Sequence, residues 1–355
     1  MALSRVSSPH AHAGETTSWV MQQLLLATLP GIAALSWYFG WGTLINLVLA
    51  VGTAYTCEAI ILKLRKRPVM FYLRDCSALV SAVLLAIALP PLAPWWLIVT
   101  GTAFAIIMAK HLYGGLGYNP FNPAMVGYVV LLISFPIAMT AWPAPRPMLP
   151  EGINVPSLWS SLQIVFPVLA VEPVDAFTMA TPLDAFKQNA GMLVDQFYKS
   201  ETLFVKGDLA GVGWDTINVA FLMGGIYLLA RRVFTWHAPI AMLATLVLMS
   251  LVFYDGGSSA SKGPVSLHLF SGATMLGAFF IVTDPVTSAV SNRGRLVYGA
   301  LIGFLVFTIR AWGNYPDAIA FAILLMNFAA PFIDYYTVPR TYGHDSASSA
   351  LRKKD

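Results

Sequence analysis

Charge is what this chain has least of. Only 11% of its 355 residues are Asp, Glu, Lys or Arg, against about 25% in a typical soluble domain. So few charges cannot cover a water-facing surface, which excludes an ordinary soluble globule. Cysteine is nearly absent as well: Cys57 and Cys76 are the only two. Two thiols make no disulfide framework and cannot ligate an iron–sulfur cluster or a structural zinc. Cys57 reads as a small buried apolar residue. The six histidines are scattered, with His10 and His12 in the polar head, and no spacing marks a metal site. No basic stripe interleaves with aromatics and the net charge is only +4, which argues against a nucleic-acid partner. No glycine-rich dinucleotide fingerprint follows a strand.

What is present is apolar: 57% of the residues are hydrophobic. Apolar runs fall at roughly 18–40, 42–62, 76–90, 93–110, 123–142, 214–234, 238–254, 269–284, 296–312 and 317–337. A spanning helix needs about 20 such residues. Most runs qualify, and those at 76–90 and 269–284 are short. The head before the first run lacks the basic-then-apolar pattern of a signal peptide, so that run reads as a retained helix. Basic residues follow every even-numbered run: Lys63, Arg65, Lys66, Arg67 and Arg74; Lys110 and His111; Arg231 and Arg232; Arg293 and Arg295; Arg340, Arg352, Lys353 and Lys354. The short connections on the other side carry almost none. The positive-inside rule then predicts ten helices with both termini in the cytoplasm.

The expected architecture is an all-α polytopic membrane protein embedded in a lipid bilayer. Residues 1–17 form a cytoplasmic head and 18–142 a first five-helix unit. Residues 143–213 form an outer-face loop, 214–337 a second five-helix unit, and 338–355 a cytoplasmic tail. Cys76-Ser77-Ala78-Leu79 and Ser271-Gly272-Ala273-Thr274 open corresponding short runs. Gly117-Tyr118-Asn119-Pro120 and Gly313-Asn314-Tyr315-Pro316 precede corresponding later ones. Because five is odd, the second unit is expected to be inverted, with a central site where the repeats meet. Such repeats alone suit a channel or secondary transporter without redox chemistry.

Few residues here can carry chemistry. Asn119 and Asn122, in Asn-Pro-Phe-Asn-Pro-Ala, each offer a carboxamide donor and acceptor. They could read the edge of a flavin or quinone ring, or simply cap a turn and a helix. Asp284 closes the eighth run, either as a functional acid or as a helix cap. Glu58 lies inside the second run and could snorkel towards Lys63 or serve transport. Arg310, Asp317 and Asp334 read as interfacial anchors, and Trp95, Trp96, Trp142 and Trp214 as an aromatic belt. Any redox role requires a bound cofactor, because no haem or iron–sulfur ligation pattern exists. Two threonines stand out. Thr181 ends Asp175-Ala176-Phe177-Thr178-Met179-Ala180-Thr181 in the outer loop, where an enzyme could reach its hydroxyl. Thr274 opens an apolar run, where admitting a modifying enzyme and burying a phosphodiester would both be costly. Ser271-Gly272-Ala273 beside it suits close helix packing.

Three blocks together resemble one family: Lys110 to Gly117 with Asn122-Pro123-Ala124, Ala180 to Lys187, and Ser271 to Phe280 with Thr283-Asp284-Pro285. Over essentially its whole length the chain resembles the D subunits of Rnf (Rsx) electron-transport complexes. A related family is the B subunits of sodium-pumping NADH:quinone reductases, whose N-terminal extension is longer. The resemblance implies an integral membrane flavoprotein of the bacterial inner membrane. It would be a subunit of an ion-translocating oxidoreductase rather than an independent enzyme. Other subunits of the complex would exchange electrons between ferredoxin and NAD, coupled to Na⁺ or H⁺ movement. It further implies a flavin transferase that joins FMN to a threonine through a phosphoester, within a pattern close to Asp-Gly-x-Ser/Thr-x-Ala-Thr. Asp175, Thr178, Ala180 and Thr181 match that pattern, and Ala176 stands where Gly is usual. Thr181 is therefore the expected covalent FMN site, on a periplasmic loop. Related subunits also hold non-covalent riboflavin near an Asn-x-x-Asn-Pro-Ala stretch, which makes Asn119 and Asn122 expected contacts and Asp284 a further candidate.

Overall fold

The computed structural model describes residues 16–149, 154–167, 178–189, 191–207, 209–313, 315 and 318–337. Asp175, Ala176, His10, His12, Asn314, Asp317 and the 338–355 tail lie outside them. The described residues are helical; their one β contact is an isolated antiparallel bridge between Pro143 and Thr178.

In chain order the helices are α1 Thr17–Phe39, α2 Gly42–Leu64, α3 Val69–Leu73, α4 Ser77–Ala88 and α5 Trp95–Phe104. A π-helical stretch, Ala105–His111, continues α5. Next come α6 Pro123–Ser134, α7 Pro136–Thr140, α8 Leu158–Val165, α9 Pro182–Lys187, α10 Val194–Ser200 and α11 Thr202–Val205. The last group is α12 Trp214–Ala230, α13 His237–Val252, α14 Val265–Phe270, α15 Thr274–Leu276, α16 Asn292–Trp312 and α17 Ile319–Thr337. A second π-helical stretch, Gly277–Ile281, continues α15.

The apolar runs set these helices and local chemistry sets their ends. Thr16 caps α1 and Ser291 caps α16, each accepting a hydrogen bond from a first-turn amide. Among the described helices, α1, α2, α16 and α17 are long and apolar enough to cross a membrane by themselves. The chain is a membrane protein with several apolar helices. Large apolar side chains such as Val48, Ile137 and Phe328 lie on its outside, an arrangement suited to lipid and costly in water. Small residues allow the closest approaches. A Cβ at Gly299 would stand 2.2 Å from the Ala238 carbonyl oxygen, so α13 and α16 touch backbone to backbone.

Two expected helices are broken. The run at 123–142 stops at Ser134, because Pro136 lacks an N–H and Phe135 leaves helical geometry. The run at 269–284 is interrupted at Ser271-Gly272-Ala273, where Gly272 adopts a φ of +58°. Asn218 of α12 restores the hydrogen bonds lost there. Its Nδ2 donates to the carbonyls of Phe270 and Gly272, both at 3.0 Å, and its Oδ1 accepts from Met275 N at 3.2 Å. Asn46 of α2 likewise donates to the Pro90 carbonyl at 2.9 Å, beyond the end of α4. The expected outer loop is more than a connection. α9, α10 and α11 enclose their own core of Leu183, Phe197, Leu203 and Phe204, closed by Val212 and Leu267.

Candidate functional site

Two cavities hold most of the singled-out residues. The first lies below α9 and has an empty volume of about 980 Å³ including its mouth. Met125, Tyr128, Trp142, Trp214 and Leu276 form much of its wall, and Thr181 and Asp184 stand at its polar edge. Thr181 is the N-cap of α9, and Pro182 supplies the first helical residue without wasting a donor. Its hydroxyl donates to Asp184 Oδ2 at 2.7 Å and accepts from Asp184 N at 3.3 Å. Thr178 and Ala180 lie just upstream, in the strand-like bridge that ties Met179 N to the Trp142 carbonyl at 2.9 Å. Burial holds the Lys187 ammonium below the usual lysine range, against an opposing pull from Asp184. That ammonium donates to the carbonyls of Gly313 and Tyr315, which fastens α9 to the end of α16.

Thr274 is placed differently. It is fully buried, donates to the His268 carbonyl at 2.8 Å and receives Arg310 Nη2 at 3.0 Å. Its hydroxyl is thus engaged as donor and as acceptor within the core.

The second cavity, of about 530 Å³, brings Asn119, Asn122 and Asp284 together with Ser77 and Lys110. Asn122 caps α6 through Met125 N at 3.2 Å and donates to Asp284 Oδ2 at 3.0 Å. Asp284 also accepts from Val286 N and from Thr287 Oγ1. The cap and the functional acid of the sequence reading are thus one connected unit. Asn119 donates to the Phe121 carbonyl at 3.0 Å, but its Oδ1 has no partner among the described residues although the residue is only 4% exposed. A buried acceptor left open is costly unless a ligand or water completes it.

The residues around both cavities have the chemistry that the cofactors implied by the resemblance would need. The first offers apolar, aromatic walls under a hydroxyl; the second offers an open acceptor and a carboxylate for a ring that carries N–H groups. FMN would hang from Thr181, and riboflavin would meet Asn119 and Asn122.

Several expectations need correcting. Glu58 does not snorkel towards Lys63: it is 2% exposed and pairs with Lys110 Nζ at 2.7 Å. Lys110 also donates to Ser77 Oγ at 2.8 Å, and Ser77 Oγ donates to Asp75 Oδ1 at 2.6 Å. His111 Nε2 stands 3.4 Å from Glu58 Oε1. Lys110 and His111 had entered as markers of a basic helix exit and as the start of one resemblance block, not as an ion-pair site. Arg310 is no interfacial anchor but is buried, donating to the His268 carbonyl at 2.9 Å and to Thr274. Trp142 and Trp214 stack edge-to-face at 5.0 Å in the wall of the first cavity. Asp334 accepts from Val290 N and so caps a turn.

Residues 4–343 match the model of the NQR2, RnfD, RnfE family. The chain is 54% identical over 345 residues to the D subunit of the ion-translocating oxidoreductase complex of Cellvibrio japonicus, covering 97% of this chain and 96% of the relative. It is 55% identical over 353 residues to the protein of that name from Ectopseudomonas mendocina, covering 99% of each. The same-named protein of Aliivibrio salmonicida is 50% identical over 355 residues, covering 97% of this chain and 99% of the relative. On a family match that spans nearly the whole sequence, this chain belongs to the NQR2, RnfD, RnfE family.

Proposed function

We propose that this chain is the flavin-carrying membrane subunit of an ion-translocating oxidoreductase complex in the bacterial inner membrane. Its full-length likeness to proteins named as D subunits of such complexes supports the assembly. Thr181 at the edge of a large apolar cavity is the observation that carries the reading. FMN is joined there by a flavin transferase, through a phosphoester to the threonine hydroxyl. Riboflavin occupies the second cavity without a covalent bond. When bound, the two groups would supply one-electron relay chemistry for partner subunits that handle ferredoxin and NAD, in a complex that moves Na⁺ or H⁺ across the membrane.

The chain's own residues bind and orient. Trp142 and Trp214 exclude water from the first cavity, and α9 holds Thr181 at its edge. In the second, Asn119 Oδ1 accepts a ring N–H, and Asn122 is fixed for recognition by its bonds to Met125 and Asp284. A channel or transporter without redox chemistry would need Thr181 only as the N-cap of α9, not the attachment motif around it.

The helix order supports two inverted five-helix units with both termini cytoplasmic and α8 to α11 periplasmic. α1, α2, α3, α4, α5 and α6 are followed in the same order by α12, α13, α14, α15, α16 and α17. The short α3 and α14 each precede a short cavity-lining helix, as such a repeat requires.

Co-expression with a flavin transferase, followed by denaturing electrophoresis, tests the attachment. The wild-type band fluoresces and Thr181→Ala does not. Fluorescence that persists in Thr181→Ala overturns the assignment.

A further inference from the structure

The buried ion pair lies between two spaces. Beside the second cavity a wider vestibule, of about 2,080 Å³ including the open space at its mouth, is lined by Glu58, Asp75, Lys110 and His111. It reaches the surface past Arg67, Arg74, Phe71 and Tyr118. Lys110 and Leu116 line both spaces, so the lysine stands in their common wall. Its ammonium is divided between Glu58 on the vestibule side and Ser77, which lines the second cavity. Glu58 Oε2 has no hydrogen-bond partner among the described residues, although Glu58 is only 2% exposed. A buried pair of this kind adds little to stability, because desolvation offsets the attraction. Inside a membrane protein, ionisable groups mark ion or proton paths.

We propose that the Glu58–Lys110 pair couples a cation in the vestibule to negative charge in the second cavity. With Glu58 ionised, its carboxylate cancels the lysine charge. A proton or a sodium ion taken up at Glu58 removes that cancellation, and the Lys110 ammonium then stabilises negative charge across the wall. Charge balances: one electron enters the cavity's ring from a low-potential one-electron donor, and one monovalent cation enters at Glu58. The other charged groups near the pair are His111, Asp75, Arg67 and Arg74, with Arg65 donating to the His111 carbonyl and Asp284 in the wall of the second cavity. His111 follows Lys110 in the π-helical stretch, Asp75 is tied to Ser77, and Arg67 and Arg74 stand at the vestibule rim. No charged residue comes from α1.

The inference rests on the flavin reading of the second cavity, and its test separates the two. In the purified chain, spectroelectrochemical titration follows the non-covalent flavin. One arm varies pH without sodium; the other varies sodium at fixed pH, with potassium keeping the ionic strength constant. The arm that raises the wild-type reduction potential names the cation. Glu58→Gln holds the potential high and flat to that ion. Lys110→Met lowers it, each by about tenfold in the oxidised-to-reduced ratio, the effect of one charge roughly 10 Å away at an effective dielectric near 20. Opposite signs follow from charge alone; a merely structural pair leaves the ion response of Glu58→Gln equal to that of wild type. If Glu58→Gln fails to insert, Glu58→Gln with Lys110→Gln removes both charges and must also be flat. A potential that moves with both ions alike in wild type and Glu58→Gln overturns the proposal. A wild-type chain without non-covalent flavin sinks the cofactor reading instead. Infrared difference spectra of the flavin-free chain then decide. The Glu58 carboxylate band, assigned by its loss in Glu58→Gln, responds to protons or sodium if the proposal holds, and a silent band overturns it.

Discussion

On the proposed reading, the two cavities would solve one problem, holding a flat ring in a membrane protein, by opposite means. The cavity under Thr181 is walled by Met125, Trp142, Trp214 and Leu276, with its polar groups at one edge. The cavity around Asn119 is smaller and has Ser77, Lys110, Asn122 and Asp284 in its wall. A covalent tether localises a ring by itself, so the walls around it need only exclude water. A ring without a tether must be held by directed hydrogen bonds, and those donors and acceptors must themselves be fixed. On the proposed reading, polarity falls where covalency rises.

The sharpest way to break this contrast is to remove the tether. Thr181→Ala is expected to abolish covalent flavin entirely while non-covalent flavin, released by denaturation and counted by absorbance, stays at wild-type amount. Loss of both would mean that the cavities are not independent. Next, Asn122→Ala removes the α6 cap, about 1 kcal/mol, and leaves Asp284 short of a donor, about 1–3 kcal/mol. Non-covalent flavin should then bind at least about tenfold more weakly, with in-gel fluorescence unchanged. A smaller effect is expected from Thr274→Val. It deprives Arg310 of an acceptor and should cost about 1–3 kcal/mol, read as a lower Tm, while covalent flavin remains. Disappearance of covalent flavin in Thr274→Val would exchange the roles given to the two threonines.

The smallest effect concerns the outer segment alone. Burial, with Tyr254 nearby, raises the Tyr198 phenol above its ordinary range. The unfolded chain therefore ionises first. The stability this residue confers is complete below about pH 10, the ordinary tyrosine value, and declines as pH rises beyond it. Limited proteolysis across α10 should accelerate above that pH in wild type and less so in Tyr198→Phe.

The sequence made the long helices legible because apolar length is a strong signal: α1, α2, α16 and α17 fall within a few residues of their runs. The breaks were only half visible. Pro136 is a sequence-level stop, yet the interruption at Ser271-Gly272-Ala273 depends on Asn218, more than fifty residues upstream. Asn119, Asn122 and Asp284 could be singled out, but their meeting in one wall is tertiary. Lys110, His111 and Arg310 were misread for one reason. A cation at the end of an apolar run looks the same whether it turns out to water or in to a partner, and the partners Glu58 and His268 are remote in sequence. The broader hydrogen-bonding turn of the stretch Ala105–His111 is what sets the direction of Lys110.

That wide turn also makes the ion pair sensitive to length. Relative to an α-helix, it accommodates an extra residue within the same rise. Deleting one residue between 105 and 109 would let ordinary helix pairing return and change the direction in which Lys110 leaves the helix. Lys110 would swing off the wall it shares with Glu58 without a single side chain having been changed. Spacing, as much as residue identity, is therefore part of what the gene must preserve at this point.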